Sequence, residues 1–206
     1  ESYSTYVTAA TLLRSKDLSA SLTYNVHMIL SDAEITRRVY GGDIVIEPFD
    51  AGHIEPASVD LRLDDTHHVV RRGGTSFVDT RDENTLSHTK KEGELFIQPD
   101  TFVLASTMER VEIPHDVVAH VIGRSTLGRL GISVHQTAGF IDPGFEGQIT
   151  LELANHGPST VKLYPGQRIC QIVFTELNEP ADRPYGHDGS QYQHQYGATP
   201  SRMSFD

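Results

Sequence analysis

A single cysteine, Cys170, stands in 206 residues. A lone thiol excludes an internal disulfide framework and every zinc site built on two or more cysteines, and it suits a reducing cytoplasm. Long apolar runs are missing too: no stretch approaches the roughly 20 consecutive apolar residues of a membrane span, so no membrane partner is expected. Cations are scarce, with 17 Lys and Arg against 28 Asp and Glu and a formal net charge of -11. A general nucleic-acid binder needs many basic residues to neutralise phosphates, so nucleic acid is excluded as a partner, and any phosphate must meet a local basic site. Few lysines among many aspartates would suit a salt-rich cytoplasm; an ordinary acidic surface explains them equally well. With 37% hydrophobic residues at this length, one domain with a sizeable core is expected.

Organisation changes three times along the chain. Residues 1–27, rich in Ser, Thr and Ala without a period, read as a disordered N-terminal extension. They lack the apolar core of a secretory signal, and Arg14 and Lys16 are too few for a transit peptide. A catalytic domain is expected over 28–180. It opens with Ser31 followed three residues later by Glu34, a capping box that predicts a helix over Asp32–Tyr40, with Leu30 and Ile35 as its staple and Gly41 and Gly42 as its stop. From Asp43 the pattern becomes short apolar or alternating runs (IVIEP, ASVDLRL, LFIQP, FVLAST, VVAHVIG, QITLELA, TVKLYPG, ICQIVF) punctuated by Pro and Gly. Many short strands imply a mainly β protein, an antiparallel barrel or sandwich with few short helices. Thr80–Glu94, charged and poor in apolar residues, reads as a long surface connection. No repeat of fixed period is visible. Residues 181–206, with Pro, Gly, Gln and Tyr, read as a mobile C-terminal arm able to close over a ligand.

Two segments carry chemistry. GRSTLGRLG, Gly123–Gly131, follows an apolar strand and can form a helical turn whose first amides favour an anion, with Arg124, Ser125 and Arg129 as further donors; a plain strand-to-helix turn with surface arginines fits equally. GFIDPGFEGQITLELAN places Asp142 before a Pro-Gly turn and restarts a strand at Gln148. There Ile149, Leu151 and Leu153 alternate with Thr150, Glu152 and Ala154. Glu152 therefore either faces solvent or sits in a cleft with raised proton affinity. His53-Ile54-Glu55 imitates half of the zinc-deaminase signature, but its Pro-Cys-x-x-Cys partner is missing; the tripeptide reads as a loop. His67, His68, His187 and His194 share no ligand spacing and read as surface residues.

These segments, together with MILSDAEI from Met28, PASVDLRL at Pro56–Leu63, PGQRICQIVF at Pro165–Phe174 and RPYG at Arg183–Gly186, resemble the dCTP deaminase family of the dUTPase-like superfamily, in order and over most of the chain. The resemblance implies a dUTPase-like antiparallel β-barrel or jelly-roll that hydrolyses dCTP at C4. Glu152 would be the base and acid that directs the water, and Ser125 and Arg129 would place water, base and triphosphate. Arg124, Thr126, Leu127 and Gly128 would complete the phosphate loop. Asp142 would bind the 3′-hydroxyl, Thr150 and Leu151 would lie beside the cytosine, and Gln171, Tyr185, Gln191 and Gln195 would make further nucleotide contacts. It also implies a homotrimer with interfacial sites, Mg2+ bound through the triphosphate, no protein-held metal, no zinc, and dTTP as an inhibitor.

Gly139 and Phe140 bear on the product. Family members that only deaminate carry His and Arg before I-D-P-G, whereas those that also cleave the triphosphate carry Gly and an aromatic residue. A glycine leaves room for a second water near the α-phosphate, so dUMP and diphosphate are the expected products. Release of dUTP, a dUTP pyrophosphatase and a non-catalytic nucleotide-sensing trimer are the alternatives. Gln191 stands where the family has a lysine before Tyr-Gln, and Ile122 where many relatives have a polar residue; the first removes a cation from the arm.

Overall fold

A computed structural model describes residues 28–72, 78–79 and 86–202. The extension expected at 1–27 and part of the connection expected at Thr80–Glu94 lie outside the described residues. In chain order the elements are α1 (Asp32–Gly41), β1 (Val45–Glu47), β2 (Ile54–Glu55), β3 (Ser58–Arg72), β4 (Leu86–Glu92), β5 (Leu95–Ile97), β6 (Phe102–Glu112), β7 (Val117–Gly123), α2 (Ser125–Gly128), β8 (Ile132–Ser133), β9 (Phe140–Ile141), β10 (Glu146–Asn155), β11 (Val161–Leu163) and β12 (Arg168–Glu176).

Ten of these strands form one curled sheet in the order β8-β10-β6-β3-β12-β7-β9, with β1 on β6 and β2 and β4 on β3, and β5 pairs with β11 separately. The pairings between named strands are antiparallel. Strand β3 makes the curl. Its first residues pair with β2 and β12, while its later ones pair with β4 and β6, after a register shift between Leu63 and His67. A shift of this kind bends a strand and tightens its twist, so β3 turns the sheet over a core that includes Leu61, Leu63, Leu151, Leu153 and Phe174, all essentially without exposure.

Helix α1 starts where the cap predicts: the Ser31 side chain accepts from the Glu34 amide. The reciprocal half of the box is absent, because the Glu34 carboxylate turns to Arg37 and Arg38 instead. Arg38, buried, also pairs with Asp116 at 2.8 Å and Glu176 at 2.5 Å, which ties the helix to β12 and to the turn before β7.

Three expectations are corrected. Leu86–Glu92, inside the expected surface connection, is strand β4, paired with β3 from Thr66 to Arg72. His53-Ile54-Glu55 is a 3-10 turn running into β2 rather than a loop. His67 is buried at 4% exposure, and that burial, with Lys91 and His68 close by, holds its imidazole below the usual histidine range.

Candidate active site

Strand β10 sets the site. Its apolar residues face the core, which leaves Thr150 and Glu152 on the other face, half-buried. The Glu152 amide donates to the Val134 carbonyl at 3.0 Å. Its Oε2 accepts the backbone amides of Gln136 at 2.8 Å and Thr137 at 3.3 Å. One carboxylate oxygen is thus fixed by main-chain donors, and Oε1 has no protein partner among the described residues. Gln136 closes the arrangement, donating from Nε2 to Ser133 Oγ at 2.9 Å.

Glu152 lines a cavity of about 360 Å³ with Phe140, Asp142, Thr150, Tyr185 and Gln195. That is the size of a small-molecule pocket, and it has the usual make-up of apolar walls with a few convergent polar groups. The lining also includes Phe102, Leu104, Phe145, His88 and Tyr192. The C-terminal arm forms one side. The His194 amide donates to the Glu146 carbonyl at 2.7 Å, the Gln148 amide to the Gln195 carbonyl at 3.0 Å, and Gln195 Nε2 to the Gln148 carbonyl at 2.7 Å. Further back, the Tyr185 amide donates to Pro143 at 2.7 Å and the Tyr185 hydroxyl accepts from the Tyr192 amide at 3.1 Å. Gly144 permits this seat: at φ 86 a Cβ there would stand 2.7 Å from Pro184 Cβ.

The other predicted residues gather elsewhere. Arg124 through Arg129, with α2, follow β7, and none of them lines the cavity. Ser125, Thr126, Gly128 and Arg129 are exposed, and Arg129 has no side-chain partner among the described residues. Leu127 is buried, so it can offer a ligand only its backbone. Arg124 is pinned rather than free, its Nε 3.1 Å from Asp60 Oδ1. Gln171, also away from the cavity, donates to Ser58 Oγ at 3.3 Å. Leu151 points into the core without exposure, opposite the face expected to meet a base, and Gln191 lies outside the cavity wall although its neighbour Tyr192 belongs to it.

At Gly139 a Cβ would meet the His135 ring and the Val121 carbonyl at 3.0 Å, so the glycine is closely packed on that side. The residues that reading the sequence missed are Gln136 and Thr137, which act through main-chain amides and leave no side-chain signature, and Tyr192, which sat in view beside Gln191. Among the described residues no group of three or more His, Cys, Asp or Glu is placed to hold a metal ion. No described helix is long and apolar enough to cross a membrane.

A curled antiparallel sheet with a main-chain-held carboxylate in a small-molecule-sized cavity defines a mainly β protein with a candidate ligand site. The family model described as dCTP deaminase-like matches residues 29–177. The chain belongs to that family. It is 50% identical over 188 residues to a dCTP deaminase of Haloarcula marismortui, covering 87% of this chain and 96% of the relative. It is 47% identical over 187 residues to a dUMP-forming dCTP deaminase of Methanobrevibacter smithii, covering 86% and 96%. Among solved structures, the fold is similar to the 2′-deoxycytidine 5′-triphosphate deaminase of Agrobacterium tumefaciens, with TM-score 0.57 and 24% identity over 73% of this chain; the match spans 48% of that longer chain.

Proposed function

We propose that the chain hydrolyses dCTP, adding water to C4 of the cytosine and releasing ammonia, with Glu152 as the group that moves the protons. The observation that supports this most is the split role of the Glu152 oxygens: Glu152 lines the cavity, its Oε2 is fixed by two amides, and its Oε1 has no protein partner among the described residues. Such a carboxylate can take a proton from water, pass it to the ring nitrogen and then assist the departing amine, a kind of positioned acid-base catalysis that contributes roughly 10²- to 10⁴-fold. Asp142, which lines the same cavity, takes the sugar hydroxyl in this reading, and Thr150, whose Oγ1 lies 3.3 Å from Gln195 Oε1, braces the arm beside the base.

The phosphate loop and the cavity belong to one site completed between copies of the chain, since Ser125 and Arg129 are exposed and outside the cavity. A homotrimer satisfies this reading. Magnesium travels with the triphosphate and neutralises part of its charge; the donor sets among the described residues provide no cage for it.

Two products are in play. The Gly139-Phe140 pair and the relatives named dUMP-forming support a second hydrolysis of the nascent dUTP to dUMP and diphosphate. The His135 ring against Gly139 favours release of dUTP. Incubation with dCTP and magnesium, followed by chromatography of nucleotides and an ammonia assay, tests both. Ammonia with dUMP and diphosphate supports the bifunctional reading, and ammonia with dUTP the simpler one. Hydrolysis of dUTP without any ammonia from dCTP sinks the deaminase reading.

A further inference from the structure

The motif Pro56–Leu63 takes no part in the cavity, yet every second residue of it grips another segment. Alternation on β3 sends Ser58, Asp60 and Arg62 to one face. Ser58 accepts from Gln171, and Arg62 donates through its amide and Nε to the buried Glu109 at 2.8 and 2.6 Å. Between them Asp60, with a fully buried side chain, faces two guanidinium groups: Arg124 Nε at 3.1 Å from Oδ1 and Arg168 Nη1 at 3.0 Å from Oδ2. The Oδ1 contact is one of charge, because no aligned hydrogen bond reaches that atom. Arg124 Nη1 also approaches the Arg168 carbonyl at 3.5 Å.

Two arginines share the one buried carboxylate, and a second acid, Glu55, 41% exposed, stands at the edge of ion-pair range, 3.9 Å from Arg168. A buried ion pair contributes little net stability, so stability alone does not account for two guanidinium groups on Asp60. Arg168 is itself 41% exposed, and the planar guanidinium can bind a carboxylate along one edge while presenting its remaining N–H groups to a phosphate. Arg124 begins the loop that carries Ser125 and Arg129.

We propose that Asp60 is a positioning residue for an oligophosphate, holding Arg124 and Arg168 as a pair, and that Arg168 is a phosphate contact alongside Ser125 and Arg129. The proposal rests on the nucleotide reading of the site. Its test is calorimetric binding of inorganic tripolyphosphate and, separately, of deoxycytidine to the assembled wild type and variants, with melting temperatures alongside. Arg168→Gln is expected to weaken tripolyphosphate roughly tenfold, the scale of one charge-assisted hydrogen bond, and to leave deoxycytidine unchanged, with partial recovery in Arg168→Lys. Asp60→Asn is expected to weaken tripolyphosphate further than Arg168→Gln does, again sparing deoxycytidine. Unchanged tripolyphosphate affinity in Arg168→Gln overturns the proposal, as does an Asp60→Asn protein that folds and loses both ligands alike. Should Asp60→Asn not fold, the two Arg168 variants decide. Because binding is read without turnover, a wild type that releases no ammonia from dCTP refutes the deaminase reading and leaves this result standing on its own.

Discussion

At the scale of single residues, the proposed chemistry rests on Glu152, whose Oε2 is fixed by the amides of Gln136 and Thr137. Glu152→Gln keeps the shape and an acceptor oxygen but cannot shuttle protons; ammonia release from dCTP is expected to fall by about 10²-fold or more while dCTP still binds, measured by coupled ammonia assay and calorimetry. An unchanged rate would remove Glu152 from the mechanism. Gly139 is held by a different constraint. Gly139→Ala forces its methyl against the His135 ring and the Val121 carbonyl, so a cost of about 1–3 kcal/mol is expected from overpacking, read as a lowered chemical-denaturation midpoint. The face shared by Thr150 and Glu152 was legible from alternation in QITLELA, since a period of two is a local property. The donors to Glu152 were not, because main-chain amides of Gln136 and Thr137 look alike in every sequence and only the fold brings them within reach. Asp60 was legible as part of a motif and illegible as to purpose, because its partners lie 64 and 108 residues away at Arg124 and Arg168.

At the scale of elements, helix α1 was read almost to its ends because its cap, staple and stop are all local. Strand β4 was missed for a physical reason. Its sequence LSHTKKE has intermediate or exposed residues throughout, so pairing with β3, rather than burial of an apolar face, makes it a strand. Helix α1 also carries an acid-sensitive contact. The hydrogen bond from Arg37, then the bond from Arg38, outweighs desolvation and lowers Glu34 from 4.5 to about 2. A depressed carboxylate contributes stability that is present above its unfolded value and lost as the pH falls toward the folded one. The urea-midpoint gap between wild type and Glu34→Gln is therefore expected to be full above pH 4.5 and to shrink toward pH 2; a gap that widens on acidification contradicts it. Asn155 joins elements at the end of β10. Buried, it donates to Ile97 and Ser159, each at 2.8 Å, and accepts from Gly157 at 2.9 Å. Asn155→Ala strands these main-chain groups, and a loss of about 2–4 kcal/mol in unfolding free energy is expected from the buried polar atoms left unpaired.

For the whole molecule, residues 124–129 stand apart from the Glu152 cavity, and the proposed assembly of copies is the property to test. If each site joins the loop of one copy to the Glu152 cavity of another, two inactive proteins can repair each other. Subunits of Glu152→Gln and Arg129→Ala, mixed in equal amounts and allowed to exchange, are expected to regain about a quarter of the wild-type activity per site, because random closed assembly puts an intact loop beside an intact cavity that often. No recovery after demonstrated exchange would place the whole site within one copy.

The arm is joined to β10 mainly through main-chain groups and two glutamines, His194 to Glu146 and Gln148 to Gln195 among them. Backbone donors and acceptors are common to nearly all residue types, so the seat of this segment imposes little on the identity of the side chains that point away from it. Those positions are open to mutational drift at small cost to the docked geometry, and they offer places where a reporter group could be attached beside the pocket without moving the strand that carries it.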